Sequence, residues 1–253
     1  MRLVVPSGYT QVATRGTRAV AHTSVAAELG AALSTARTLH GWAAARPEKR
    51  PLQGRETAWR VTLDDGTPIV VRHSRHGGFL APLTGDLFLA PTRAPGELAA
   101  SARLLAAGVP TPQVLAWAVY PAFGPFARAD VVTRALDGAD LPDAWAATPD
   151  PAARQAIVRA VATLLRQLRH AGAVHPDLNL KNVFIAAGDA PVAYVLDVDR
   201  IRFREADSTD AAYRNLVRLV RSARKWRAKR GLDFDEQTFL EPLALTVGAR
   251  GAP

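Results

Sequence analysis

The stretch from residue 151 to residue 199 constrains this chain more than any other. Ile157, Val161, Leu164, Leu165 and Leu168 recur at i, i+4, i+7, i+8 and i+11 on one face of a helix over 151–171, which Gly172 can end. A polar loop follows, HPDLNLKN at 175–182. Next comes a hairpin, VFI and VAYVLDVD, turning at Ala187-Gly188-Asp189-Ala190 and closing on the acids Asp197 and Asp199.

The rest of the chain supplies a β-rich first part and a helical end. Residues 1–24 read as short extended pieces, and residues 25–45 as one helix stopped before Pro47. WRVTL and PIVVRHS flank Asp64-Asp65-Gly66 as an antiparallel hairpin. Residues 95–107 predict a helix with Pro95 in its first turn and Gly108 past its end. Two further strands follow, in VPTPQVLAWAVY and ADVVTRAL. A last helix starts near Asp210, with Tyr213, Leu216, Val217 and Val220 as its apolar face and Arg214, Arg218, Arg221 and Lys225 as a basic stripe. This order is α+β in two lobes. The division expected is an N-terminal extension over 1–48, packed on an N-lobe at 49–137, and a C-lobe at 138–253.

Composition narrows the function classes. With 48% hydrophobic and 22% charged residues in 253, the chain can bury a large core and is not disordered. It has no cysteine, so disulfides, thiolate metal sites and Cys nucleophiles are excluded. No apolar run of about 18 residues occurs, and the first residues lack the apolar core of a secretory signal. The expected location is cytoplasmic, with peripheral contact with a membrane left open. The net charge of +9 implies an anionic partner. Aromatics are scattered rather than interleaved with the basic stripe, which speaks against nucleic acid.

Phosphoryl transfer needs a carboxylate to orient the acceptor hydroxyl, metal ligands for the phosphates and a cation near them. His-x-Asp-Leu-x-x-x-Asn, after an amphipathic helix and before a hairpin ending in Asp, has that form. Asp177 is then the catalytic carboxylate, Asn182 and Asp197 the metal ligands, and Lys181 a group that steadies the transferring phosphate. His175 is read as shaping the loop through backbone bonds. In the first lobe, Gly54 in Gly54-Arg55-Glu56-Thr57 is the candidate phosphate-covering turn. Arg72 stands where a nucleotide-binding lysine would, and Glu97, early in the following helix, is its candidate partner.

RHSRHGG at 72–78, GELAASARLLAAGVPTP at 96–112, HPDLNLKN, LDVDR at 196–200 and NLVRLVRSARK at 215–225 resemble the Kdo kinase and lipopolysaccharide core heptose kinase group. The resemblance implies a protein-kinase-like fold using ATP and Mg2+ or another divalent metal. The acceptor it implies is a hydroxyl of Kdo or a related inner-core sugar linked to lipid A, at the inner face of the cytoplasmic membrane. Pro176 in place of arginine, Asp199 in place of glycine and a short tail turn the expectation away from a peptide acceptor. The basic stripe gains a prospective role in holding a lipid A phosphate or an anionic bilayer, at roughly 1 kcal/mol per cation. Competing readings are a minimal kinase of the RIO type, acting on protein or in tRNA modification, and a non-catalytic pseudokinase or basic binding module. Oligomeric state is not legible.

Overall fold

The computed structural model describes residues 5–12, 14, 16–52, 57–75 and 85–246. The chain divides into two compact units, Met1–Ala102 with Gln113–Ala135, and Arg103–Pro112 with Leu136–Pro253.

Unit 1 is built on an antiparallel sheet. Its strands are β1 (Tyr9–Val12), β2 (Arg18–His22), β3 (Arg50–Leu52), β4 (Ala58–Thr62), β5 (Pro68–His73), β6 (Phe88–Leu89), β7 (Val114–Pro121) and β8 (Phe126–Arg134). They run in the order β1-β2-β7-β8-β5-β4-β3, with β6 also pairing β8. The first 48 residues therefore contribute sheet: Ala19, Val20 and Ala21 of β2 are buried and pair with Ala118, Trp117 and Ala116 of β7. Where one helix is predicted over 25–45, two form, α1 (Ala26–Thr35) and α2 (Leu39–Ala45). The Ser34 and Thr35 hydroxyls bond back to Gly30 and Ala31 carbonyls, Ala36 is extended, and the Thr38 side chain caps the Gly41 N–H. Hydroxyls that compete for backbone groups break the run without Pro or Gly. Both helices lie against one face of the sheet, where Leu29, Leu39 and Ala43 join Ile69, Val71, Leu115 and Val132. The helix α3 (Ala94–Ala106) begins in unit 1, its Ala94 and Leu98 packing with Val20, Trp117 and Val131.

Unit 2 contains β9 (Gly138–Asp140), α4 (Leu141–Ala146), α5 (Pro151–His170), β10 (Ala173–Val174), β11 (Val183–Ala186), β12 (Val192–Val195), β13 (Arg202–Phe203), α6 (Thr209–Arg230) and α7 (Glu241–Thr246). The α5 stripe is buried as its periodicity predicts, with Asp150 capping its N-terminus. Gly172 follows its end at φ 62°, where a Cβ would come within 2.3 Å of the Glu205 carbonyl oxygen. Only glycine fits there, and the chain turns at once into β10, which pairs with β13. Trp145 of α4 stacks on Phe234, and both rings meet Phe239 edge-on in one buried cluster, with ring centroids 4.8–5.3 Å apart. The apolar face of α6 is Ala211, Ala212, Leu216, Leu219 and Ala223; Tyr213, expected on it, is half exposed.

Candidate active site

The loop His175–Asn182 leaves β10 and ends in a 3-10 turn, Leu180–Asn182, that feeds β11. Its anchor is His175, only 1% exposed. The ring Nε2–H donates to the Leu196 carbonyl at 2.9 Å, and Nδ1 accepts the Asp177 N–H at 3.1 Å. A ring that accepts at Nδ1 must be neutral. Burial agrees, lowering the His175 pKa below the usual histidine value.

The far side of the loop is held by α6, residue by residue. Asn215, fully buried, accepts the His175 backbone N–H at 2.9 Å and donates to the Ala173 carbonyl at 2.8 Å. Arg218 Nε donates to the Pro176 carbonyl at 2.8 Å, and Ser222 Oγ accepts the Leu180 N–H at 3.1 Å. These residues recur at i, i+3 and i+7 on one helical face. Arg218 thus belongs to the loop, and Arg214 is paired with Asp210 at 2.7 Å, so the expected basic stripe is divided. Arg221 and Lys225 are exposed, with no ion pair among the described residues.

Within the loop, Asn179 Oδ1 accepts the N–H groups of Lys181 and Asn182. Asn182 Nδ2 donates to the Asp177 carbonyl at 2.7 Å. The Asp177 carboxylate is exposed and makes no hydrogen bond or ion pair among the described residues. A carboxylate on a backbone fixed from both sides, with its own oxygens unengaged, can accept a proton from a hydroxyl brought to it.

Asn182 and Asp197 meet at the open end of the β11–β12 hairpin. Val183 pairs with Val195, and the Leu196 N–H donates to the Asn182 carbonyl at 2.9 Å. Asp197 follows in the left-handed region, φ 57° and ψ 53°, exposed and without a bonded partner among the described residues. An amide and a carboxylate oxygen suit Mg2+, which takes few protein ligands and completes its shell with water and phosphate oxygens.

Lys181 reaches sideways: its Nζ donates to Asp140 Oδ2 at 2.8 Å, and this bond raises its pKa. Asp140 also caps α4 through the Asp143 N–H at 3.1 Å. No sequence signal marked Asp140 beyond an ordinary helix cap.

In unit 1, Arg72 on β5 forms an ion pair with Glu97 of α3, which is only 7% exposed. The neighbouring His73 bonds Asp130 through Nδ1 and Asp86 through Nε2, the latter at 3.0 Å. Asp130, fully buried, also accepts from the Tyr120 hydroxyl and the His40 N–H, each at 2.8 Å. Burial, then the neighbouring Asp130, pushes the Tyr120 hydroxyl well above the usual phenol range. The RHSRHGG segment pointed to His73 without assigning this network. Gly54 lies outside the described residues.

The Lipopolysaccharide kinase (Kdo/WaaP) family matches residues 41–239. A 3-deoxy-D-manno-octulosonic acid kinase of Vibrio parahaemolyticus is 30% identical over 74% of this chain and 76% of its own. That of Actinobacillus succinogenes is 31% identical over 73% of this chain and 78% of its own. The structure of WaaP in complex with acyl carrier protein aligns with a TM-score of 0.53 at 21% identity, covering 82% of this chain and 80% of that one. The fold is the α+β, protein-kinase-like one expected. Neither the RIO-type nor the non-catalytic reading is favoured by these matches. The chain belongs to the lipopolysaccharide kinase (Kdo/WaaP) family.

Proposed function

We propose that the protein transfers the γ-phosphoryl group of ATP to a hydroxyl of 3-deoxy-D-manno-octulosonic acid (Kdo) on lipid A. The observation that carries this reading is the unengaged Asp177 carboxylate on a loop whose backbone is fixed by His175, Asn215, Arg218 and Ser222. Asp177 orients the acceptor hydroxyl and takes its proton as the new sugar O–P bond forms; the bond to the leaving ADP oxygen breaks in line. Asn182 and Asp197 hold Mg2+, which when bound neutralises the phosphate oxygens. Arg72, kept in place by Glu97, is the nucleotide clamp of unit 1. Arginine is permanently charged and forks to phosphate oxygens, so it serves where lysine is usual.

An acceptor carried on a lipid puts the enzyme at the inner face of the cytoplasmic membrane. No helix among the described residues is long and apolar enough to cross a bilayer, and the net charge of +9 suits peripheral contact with anionic lipid. The test is mass spectrometry of Kdo-bearing lipid A incubated with enzyme, ATP and Mg2+. One added phosphate on the Kdo residue is expected; unchanged lipid with active enzyme would remove this acceptor.

A further inference from the structure

Lys181 and α6 carry one more arrangement, beside the loop rather than at Asp177. The Lys181 Nζ stands 5.7 Å from the centroid of the Trp226 ring, and the Arg230 guanidinium carbon stands 5.6 Å from the same centroid. Trp226 continues the helical face of Ser222 by one turn, and Arg230 continues it by another. The face that fixes the loop backbone thus runs on into an aromatic ring and a cation.

An indole face attracts cations, but gathering two on one ring costs repulsion that a counter-charge must offset. Asp140, bonded to Lys181, and the nearby Asp143 carboxylate offset the Lys181 charge. Among the described residues Arg230 makes no ion pair, and the half-buried Trp226 offers an indole N–H with no acceptor. The Arg230 guanidinium and the indole N–H therefore stand without a bonded partner among the described residues, beside the residues that join Asp177 to Asn182. A guanidinium binds carboxylate or phosphate in a fork, and an indole N–H donates to a hydroxyl or anionic oxygen.

We propose that Lys181, Trp226 and Arg230 form an acceptor subsite that takes an anionic group, carboxylate or phosphate, of the sugar to be phosphorylated. The inference rests on the acceptor reading given above. It makes Lys181 an acceptor-side group, with Trp226 holding the two cations in place. Kdo is itself an acid, so its carboxylate is the first ligand to try.

The full-length chain, labelled with 15N at its indole nitrogens, is titrated with free Kdo, with Kdo methyl ester and with inorganic phosphate. The Trp226 signal is identified by its loss in Trp226→Phe. A saturable shift of that signal by Kdo but not by the ester assigns the carboxylate; a shift by phosphate but not by Kdo assigns the phosphate. In Arg230→Ala the affinity for the active probe falls about tenfold, and Arg230→Lys recovers part of it. No shift with any probe, or a shift of equal affinity in Arg230→Ala, overturns the subsite. In turnover, Arg230→Ala raises the acceptor KM about tenfold and leaves the ATP KM within about twofold. If the wild-type enzyme phosphorylates the sugar and Arg230→Ala keeps its acceptor KM, the subsite falls and the proposed activity stands. If no sugar is phosphorylated, the activity reading falls, and the titration still decides whether an anion binds here.

Discussion

Asp177 and Asp197 are both exposed acids, yet their backbones differ. Asp177 sits in a loop held by hydrogen bonds, whereas Asp197 occupies the left-handed region at φ 57°, unfavourable for a residue with a Cβ. Asp197→Gly should therefore keep or raise thermal stability, by up to about 1 kcal/mol, while abolishing phosphoryl transfer. A loss of both would show Asp197 to be structural. His175 supplies a second prediction at this scale. Its folded pKa is depressed by burial, so the unfolded chain binds the proton first and stability falls as pH drops below about 6.5. The slope contributed is at most about 1.4 kcal/mol per pH unit, continuing down to the folded pKa. Denaturation midpoints of wild type and His175→Gln, compared between pH 5 and 7.5, should show that slope only in the wild type.

Among the elements, α6 is where the structure adds most. Asn215→Leu would strand the His175 N–H and the Ala173 carbonyl in a buried place, costing about 2–4 kcal/mol. Urea denaturation should show this, with activity falling even where the chain remains folded. The α5 helix was legible because its buried stripe is wholly apolar, and the loop because its residue types are chemical rather than structural. The loop-facing side of α6 was not legible, since Arg218 reads as part of a basic stripe and Asn215 and Ser222 carry no signal of their own. Their partners are backbone groups more than 30 residues away, which no periodicity reveals. The same limit hid Asp140 beside Lys181, and it placed Tyr213 on an apolar face that Leu219 and Ala223 in fact supply. The break between α1 and α2 was missed because it depends on which backbone groups Ser34, Thr35 and Thr38 choose.

For the whole molecule, the order of β-rich and helical parts was readable, but the place of the first residues was not. β1 and β2 carry few residues, and their value lies in covering β7: Val20 is buried on one face, Ala19 and Ala21 on the other, and the Tyr9 hydroxyl bonds the Val114 carbonyl at 2.7 Å. Deleting residues 1–24 should destabilise the chain by about 3–5 kcal/mol, from the lost burial alone. Limited proteolysis should then cut within residues 58–135 first. A deletion without effect would make the segment an appendage. The central claim is that this two-unit chain is a sugar kinase acting through Asp177. Its most direct test is single-turnover transfer from ATP to Kdo-bearing lipid A by wild type and Asp177→Asn. A rate lower by about 10²–10⁴-fold is expected, with the melting temperature unmoved; equal rates in the two proteins would contradict it.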